Sequence, residues 1–299
     1  MLNGPFRGSA AVACGLIGAN QLRGPRYRRL FPDVYLPASA GPLDLAVWSR
    51  AAFLLVEHRG GLLGGYSAAR LLGADCAPPD TPAEVIVAGG QRRHPGLLAH
   101  RGDAAGPDRW QVSGCVVTSP ERTAWDLGRR LDLTEAVVAL DALGRVRGPG
   151  RFAPADLLVR REREPGARGC RRLDRVVALA DPRAESPMET RLRLLLVEGG
   201  LPVPVVQHEL LDEHGFVVAR FDLAYPEELL AVEYDGRGHR HREFCDDDRW
   251  RDASTGDYGW HTMRFGRDDV LVSRRRTVAL VGNQLTLRAN PAHRTPRSA

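Results

Sequence analysis

The sequence predicts an α/β protein of two domains. Three observations carry that prediction. The chain has 299 residues, enough to bury two separate cores. Short alternating apolar stretches are interleaved with helical ones along most of its length. After Asp181-Pro-Arg-Ala184, which reads as the boundary, the order is helix, three strands, helix, strand, helix. That order spans about a hundred residues, a normal domain size.

In the N-terminal part, a polar-basic segment from Gln21 to Arg29 precedes Leu30 to Leu36, which reads as a strand. A helix before a short β-wing is one way to begin a winged DNA-binding module; the alternative is an ordinary cap on the next domain. Leu43 to Glu57 has helical apolar spacing, and Ser67 to Leu72 is a second, short helix. Glu84 to Ala88, Leu97 to Arg101 and Cys115 to Thr118 are strand-like, separated by turn-rich pieces. Ser119-Pro120 opens a helix, serine as N-cap and proline as first helical residue, leading into Thr134 to Leu143. Arg145 to Pro154 is a Gly/Pro/Arg linker. Two charged helices follow, Ala155 to Arg163 and Gly166 to Ala180, the second carrying Arg168, Arg171, Arg172 and Arg175. Such a helix can track a phosphate backbone, although a charge run is more often a solvated face.

Beyond the boundary, Ser186-Pro187-Met188-Glu189 starts a helix that ends at Gly199-Gly200. Leu201 to Leu211, Phe216 to Ala224 and Leu229 to Asp235 are strands. Cys245 to Tyr258 reads as a helix, Trp260 to Phe265 as a fourth strand, and Arg274 to Leu287 as a closing helix. The tail from Asn290 has two prolines and little apolar content, so it is expected to be disordered.

Hydrophobic content of 43% and charged content of 26% are ordinary for a soluble protein. No apolar run is long enough for a transmembrane helix, and the first twenty residues lack a basic leader, so neither membrane nor signal peptide is expected. Five scattered cysteines fit reduced thiols in a cytoplasmic protein. Net charge is +5, a modest lean toward polyanionic partners. All 42 Lys+Arg residues are arginine, so a mechanism that needs a lysine ammonium is excluded.

The chemistry concentrates in Arg220 to His241, RFDLAYPEELLAVEYDGRGHRH. A two-residue turn at Pro226-Glu227 pairs Tyr225 with Glu228 and Asp222 with Ala231. Alternation then puts Asp222, Ala231, Glu233 and Asp235 on one face. Phe221, Leu223, Leu230, Val232 and Tyr234 take the other, which is core. Diagonal neighbours on paired strands lie about 7–8 Å apart, so Asp222 and Glu233 can hold one cation between them. Three acids on one face repel unless something positive is near, which favours function over structure for this trio. Glu189 has two readings: a capping-box glutamate three residues after Ser186, or a side chain turned inward with Leu192 and Leu196. Asp246-Asp-Asp248 reads as a helix N-terminal charge cluster.

Residues 185–288 resemble the nuclease-like family related to very-short-patch-repair (Vsr) endonucleases, of the restriction-endonuclease-like, or PD-(D/E)XK, superfamily. The resemblance rests on an ordered run: Glu189 on the first helix, Asp222 on the second strand, Glu233-Tyr-Asp235-Gly236 on the third, His239 soon after, and Trp260-His-Thr-Met-Arg264-Phe265 on the fourth. It implies a central mixed sheet flanked by helices. Residues 1–180 resemble the N-terminal region of AbiEi-type antitoxin-like proteins, through Ser67-Ala-Ala69, Val117-Thr-Ser-Pro-Glu-Arg-Thr123 with Asp126-Leu127, and Asp141-Ala-Leu143. Residues 289–299 are the tail.

The resemblance implies an endonuclease that hydrolyses DNA phosphodiesters with Mg²⁺ (or Mn²⁺) held by Asp222 and Glu233. Glu189 would orient the attacking water or support the metal's ligands from just outside them, and His239 would be the acid or base. Asp235 stands where the superfamily usually has lysine, and Arg237, Arg240 or Arg264 would stabilise phosphate charge. The alternative is a DNA-binding, antitoxin-like regulator with a degenerate nuclease domain and a toxin as partner.

Overall fold

The computed structural model describes residues 3–148, 151–236 and 255–290. The chain divides into two units, Met1–Ala178 and Leu179–Ala299.

The first unit begins with a small three-stranded sheet in the order β1-β3-β2. Strand β1 (Phe6–Arg7) and strand β2 (Tyr27–Phe31) pair antiparallel with β3 (Val34–Pro37) on either side. The expected single strand from Leu30 to Leu36 is therefore two, because the chain reverses at Pro32-Asp33. Asp33 is left-handed there, with φ of 59°. Its carboxylate takes the Ser9 N–H at 2.8 Å, at the start of α1 (Gly8–Ala13).

A five-stranded mixed sheet follows, in the order β6-β5-β4-β8-β7. Its strands are β4 (Leu62–Leu63), β5 (Ala83–Val87), β6 (Leu97–Arg101), β7 (Arg109–Val112) and β8 (Cys115–Thr118). Strand β4, only two residues long, is too short to show any period in the sequence. Helix α2 (Leu45–Val56) starts where Asp44 accepts the Val47 N–H, and it buries Phe53 and Val56 with Leu63, Val85 and Val117. Helix α3 (Gly65–Leu71) leaves β4 through a left-handed Gly65.

Helix α4 (Pro120–Arg130) begins as its sequence predicts, Ser119 accepting the Arg122 N–H and Pro120 in the first turn. It packs on α5 (Leu133–Arg145). Helices α6 (Asp156–Arg163) and α7 (Leu173–Leu179) complete the unit's helical part. The expected helix from Gly166 to Ala180 is shorter: residues 165–172 form a turn with Gly169 at φ 89°, and regular α-helix starts at Leu173.

The second unit is built on a four-stranded mixed sheet, order β12-β11-β10-β9. Strands β9 (Val205–Leu211), β10 (Val217–Tyr225) and β11 (Leu230–Tyr234) pair antiparallel, and β12 (His261–Phe265) lies parallel to β11. Helix α8 (Pro187–Glu198), α9 (Arg267–Leu271) and α10 (Arg274–Arg288) supply the helical part. Leu192 and Leu196 of α8 and Val281 of α10 bury against Leu223, Leu230 and Val232 of the sheet.

Two sequence expectations about this hairpin are corrected. The connection is not a two-residue turn but a 3-10 turn at Pro226–Glu228 closed by Leu229, whose φ is 50°. Tyr225 consequently pairs with Leu230 and Ala224 with Ala231. Phe221 also leaves the face assigned to it. It packs with Ala224, Ala231 and Trp260, while Leu223 packs against α8. The strict alternation breaks at Asp222, opposite Gln207, which has a φ of 52°. On the acidic face, Ala231 and Glu233 are buried.

Among the described residues no helix is long and apolar enough to cross a membrane. None of the four described cysteines is in a disulfide.

A candidate carboxylate site on the C-terminal sheet

Leu223 faces Val232 across β10 and β11, and one further step along that ladder sets Asp222 opposite Glu233. Directly opposed residues have Cβ atoms about 4.5–5.5 Å apart, closer than the diagonal relation the sequence suggested. The shift of register is two residues, an even number, so the two acids still share a face. Asp222 is half-buried, and one of its carboxylate oxygens accepts the backbone N–H of Tyr234 at 2.9 Å. That bond spans the strands and fixes the carboxylate beside β11.

Glu233 is only 7% exposed. The parallel ladder places Arg264 next to it, and the guanidinium Nε lies 3.3 Å from Glu233 Oε2. A carboxylate this deep needs a positive partner. Asp235, by contrast, sits past the end of β11 with its side chain exposed, and its N–H donates to Phe265 O at 3.0 Å.

Glu189 reaches the same region from α8. Both of its sequence readings hold in part. Ser186 Oγ accepts the Glu189 N–H at 3.1 Å, as a cap should, and the Glu189 carboxylate turns back to accept the Glu185 N–H at 2.8 Å. The side chain is nevertheless only 8% exposed, and its Oε2 also accepts from Gln207 Nε2 at 3.0 Å. Burial, and next the neighbouring Asp222 charge, push Glu189 above the usual carboxylate range, against the bonds from Glu185 and Ser186.

Glu189, Asp222 and Glu233, predicted from sequence, thus come from one helix and two strands. Gln207 was not foreseen. A polar residue inside a strand carries no signal for a left-handed bend, and the bend accompanies its reach to Glu189. His239 lies outside the described residues, as do His241, Cys245, Asp246 to Asp248 and most of the helix expected from Cys245 to Tyr258.

The donor set suits a hard cation: carboxylate oxygens at Asp222 and Glu233, one of them now balanced by arginine. Among the described residues no group of three or more histidines, cysteines, aspartates or glutamates assembles as a metal site. The two opposed carboxylates would be the protein's ligands, leaving the other positions to water and phosphate.

No protein-family model matches the chain. Two curated relatives do, "Uncharacterized protein MT2308" of Mycobacterium tuberculosis strain CDC 1551 / Oshkosh and "Uncharacterized protein Rv2248" of strain ATCC 25618 / H37Rv. Each is 32% identical over 222 residues, covering 73% of this chain and 79% of the relative. Identity of that extent across most of both chains places this protein in the family of those two mycobacterial proteins.

Proposed function

We propose that the protein is a divalent-metal-dependent DNA endonuclease whose hydrolytic site is formed by Glu189, Asp222 and Glu233. One observation supports the reading: Asp222 lies opposite Glu233 on the sheet, and burial first, then the Asp222 charge, raise the proton affinity of Glu189. Mutual repulsion of this kind costs stability and is characteristic of sites that bind cations or move protons.

Asp222 and Glu233 would hold Mg²⁺ or Mn²⁺, and the ion, when bound, supplies charge that polarises a phosphodiester and makes water more acidic. The remaining work belongs to the chain. The Tyr234 N–H keeps Asp222 facing β11. Gln207 and the Glu185 N–H hold the Glu189 carboxyl in one orientation. With its raised proton affinity, Glu189 takes a proton from an attacking water more readily than an ordinary carboxylate does. Arg264, ion-paired with Glu233, brings a permanent positive charge to the edge of the site. Asp235 and His239 remain in the proposal as sequence-derived site residues.

The test is cleavage. Purified protein with Mg²⁺ or Mn²⁺ is offered duplex, single-stranded and mismatched DNA, alongside Asp222→Asn. Metal-dependent cutting that the variant loses is the expected result, and equal cutting by both proteins would sink the assignment.

A second reading is favoured by a specific pair of facts. Asp235 is exposed where a lysine is usual in the resembling superfamily, and Arg264 already neutralises Glu233. A DNA-binding regulator with an idle site, paired with a toxin, would bind DNA in EDTA as well as in Mg²⁺ and cut none.

A further inference from the structure

The N-terminal unit contains a cleft of about 1320 Å³ that no part of the hydrolytic reading uses. Its walls are the end of β6, the outer face of α4, and the turn at 165–172. Seven of its lining residues are arginines, against a single acid, Asp126.

Six of the seven arginines fall into two groups, and the seventh, Arg172, bonds a backbone carbonyl. Arg122, Arg129 and Arg130 all converge on Asp126, each with a nitrogen 3.0 Å from its carboxylate. Arg122 also reaches Asp108 at 3.1 Å, a carboxylate it shares with Arg160, so at Asp108 and Asp126 four guanidiniums stand against two carboxylates and the wall stays positive while its geometry is fixed. Arg101, Arg168 and Arg171 are exposed and, among the described residues, have no acidic partner.

The turn that carries Arg168 and Arg171 is tied to α4. Arg129 donates to Arg168 O at 2.8 Å, and Arg172 donates to Arg129 O at 2.7 Å. At Gly169, φ is 89° and an added Cβ would lie 2.3 Å from Arg129 O, so only glycine permits this approach. The wall is preorganised, which lowers the ordering cost of binding.

From this geometry we infer that the cleft is a docking site for the phosphate backbone of a nucleic acid. Guanidinium forks match phosphate oxygens in pairs. Small-molecule pockets run to roughly 300–1,000 Å³ and are mostly apolar; this cleft is larger and lined by charge, which suits a polymer with repeated phosphates. The choice of DNA as that polymer rests on the function proposed above; the phosphate chemistry does not.

The experiment is fluorescence anisotropy of a short labelled duplex in EDTA at low salt, so that cleavage plays no part. It compares the wild type, the triple variant Arg101→Glu, Arg168→Glu, Arg171→Glu, and a control triple of exposed arginines outside the cleft, Arg92→Glu, Arg93→Glu, Arg163→Glu. All substitutions in the two triples are at exposed positions, and circular dichroism verifies their folding. Expected are a loss of at least about tenfold in the cleft triple and a salt slope flatter by about 2–3, one lost phosphate contact per arginine. The control triple should lose less than about twofold. An unchanged affinity and slope in the cleft triple, or an equal loss in the control, would overturn the inference. So would saturable binding of tripolyphosphate alone by a wild type that ignores DNA, which would make the cleft a small-anion site. If the wild type never cuts DNA yet the cleft triple alone loses binding, the hydrolytic reading fails and the cleft stands.

Discussion

The side-chain amide of Gln207 donates to Glu189 Oε2 across 3.0 Å, joining a bend in β9 to the first turn of α8. The bond matters because Glu189 is buried beside Asp222, and both circumstances raise its proton affinity. A group whose folded-state pKa lies above its unfolded value contributes stability that is full below the unfolded value and is lost as pH rises through the folded one. Glu189 therefore weakens the second unit as pH climbs past the ordinary carboxylate range. Glu189→Gln keeps an oxygen for Gln207 and Glu185 while removing the charge. Thermal denaturation from pH 4 to 8 should show the variant gaining on wild type as pH rises, with little difference at the acid end. A constant gap across that range would refute the coupling.

Asp222 has two separable tasks, a charge in the site and an acceptor for the Tyr234 N–H. Asp222→Asn retains the acceptor, whereas Asp222→Ala abandons it and leaves a backbone donor short of its partner. The expected pattern is a loss of DNA cleavage on the order of a hundredfold or more in both. The alanine variant alone should lose a further stability of about 1 kcal/mol, by urea titration. The Asn variant should also bring Glu189 part of the way back toward the usual carboxylate range, leaving the contribution of burial.

The shared face of Asp222 and Glu233 was legible in the sequence, although the turn was misread and their direct pairing was taken for a diagonal one. Pro226-Glu227 suggested a tight hairpin, but Leu229 takes a left-handed conformation that leucine seldom adopts, so nothing in its identity announced it. The resulting two-residue slip is even, and side chains repeat every two residues, so the faces survived. Phe221 had no such protection. An uneven break at Asp222 and Gln207 sent it to Trp260, 4.7 Å between ring centroids, and no glycine marks the place. The cleft arginines show the converse limit. Arg168 and Arg171 were visible as a charge run, but Arg101 and Arg129 lie dozens of residues away and join them only through sheet order and the packing of the 165–172 turn on α4.

Arg264 and a divalent cation serve the same need at Glu233, a positive charge against a buried carboxylate. Removing the guanidinium with Arg264→Ala should cost about 1–3 kcal/mol, because Glu233 is left without that partner. If Asp222 and Glu233 bind a cation, millimolar Mg²⁺ should restore much of the lost melting temperature in the variant and raise that of wild type less. Chelation with EDTA should reverse the gain. Equal, negligible shifts in both proteins would count against a cation at this pair, whatever the outcome of cleavage assays.

Glu84 is a buried carboxylate of the N-terminal unit, only 5% exposed near the start of β5. Its Oε1 accepts the Tyr66 N–H at 2.9 Å, at the start of α3, and its Oε2 lies 2.8 Å from His100 Nε2. This close approach requires glycine at position 65. The backbone there has a φ of 52°, and an added Cβ would lie 2.3 Å from Glu84 Oε2. Gly65→Ala thus combines left-handed strain of roughly 1–2 kcal/mol with displacement of a buried, hydrogen-bonded carboxylate. A loss of at least about 3 kcal/mol is expected by urea unfolding, enough to lower soluble yield. Glu84→Gln should cost less, since its carbonyl oxygen can still accept from Tyr66 while the His100 contact weakens. If Gly65→Ala unfolds at the wild-type midpoint, the contact between α3 and Glu84 is looser than the geometry requires.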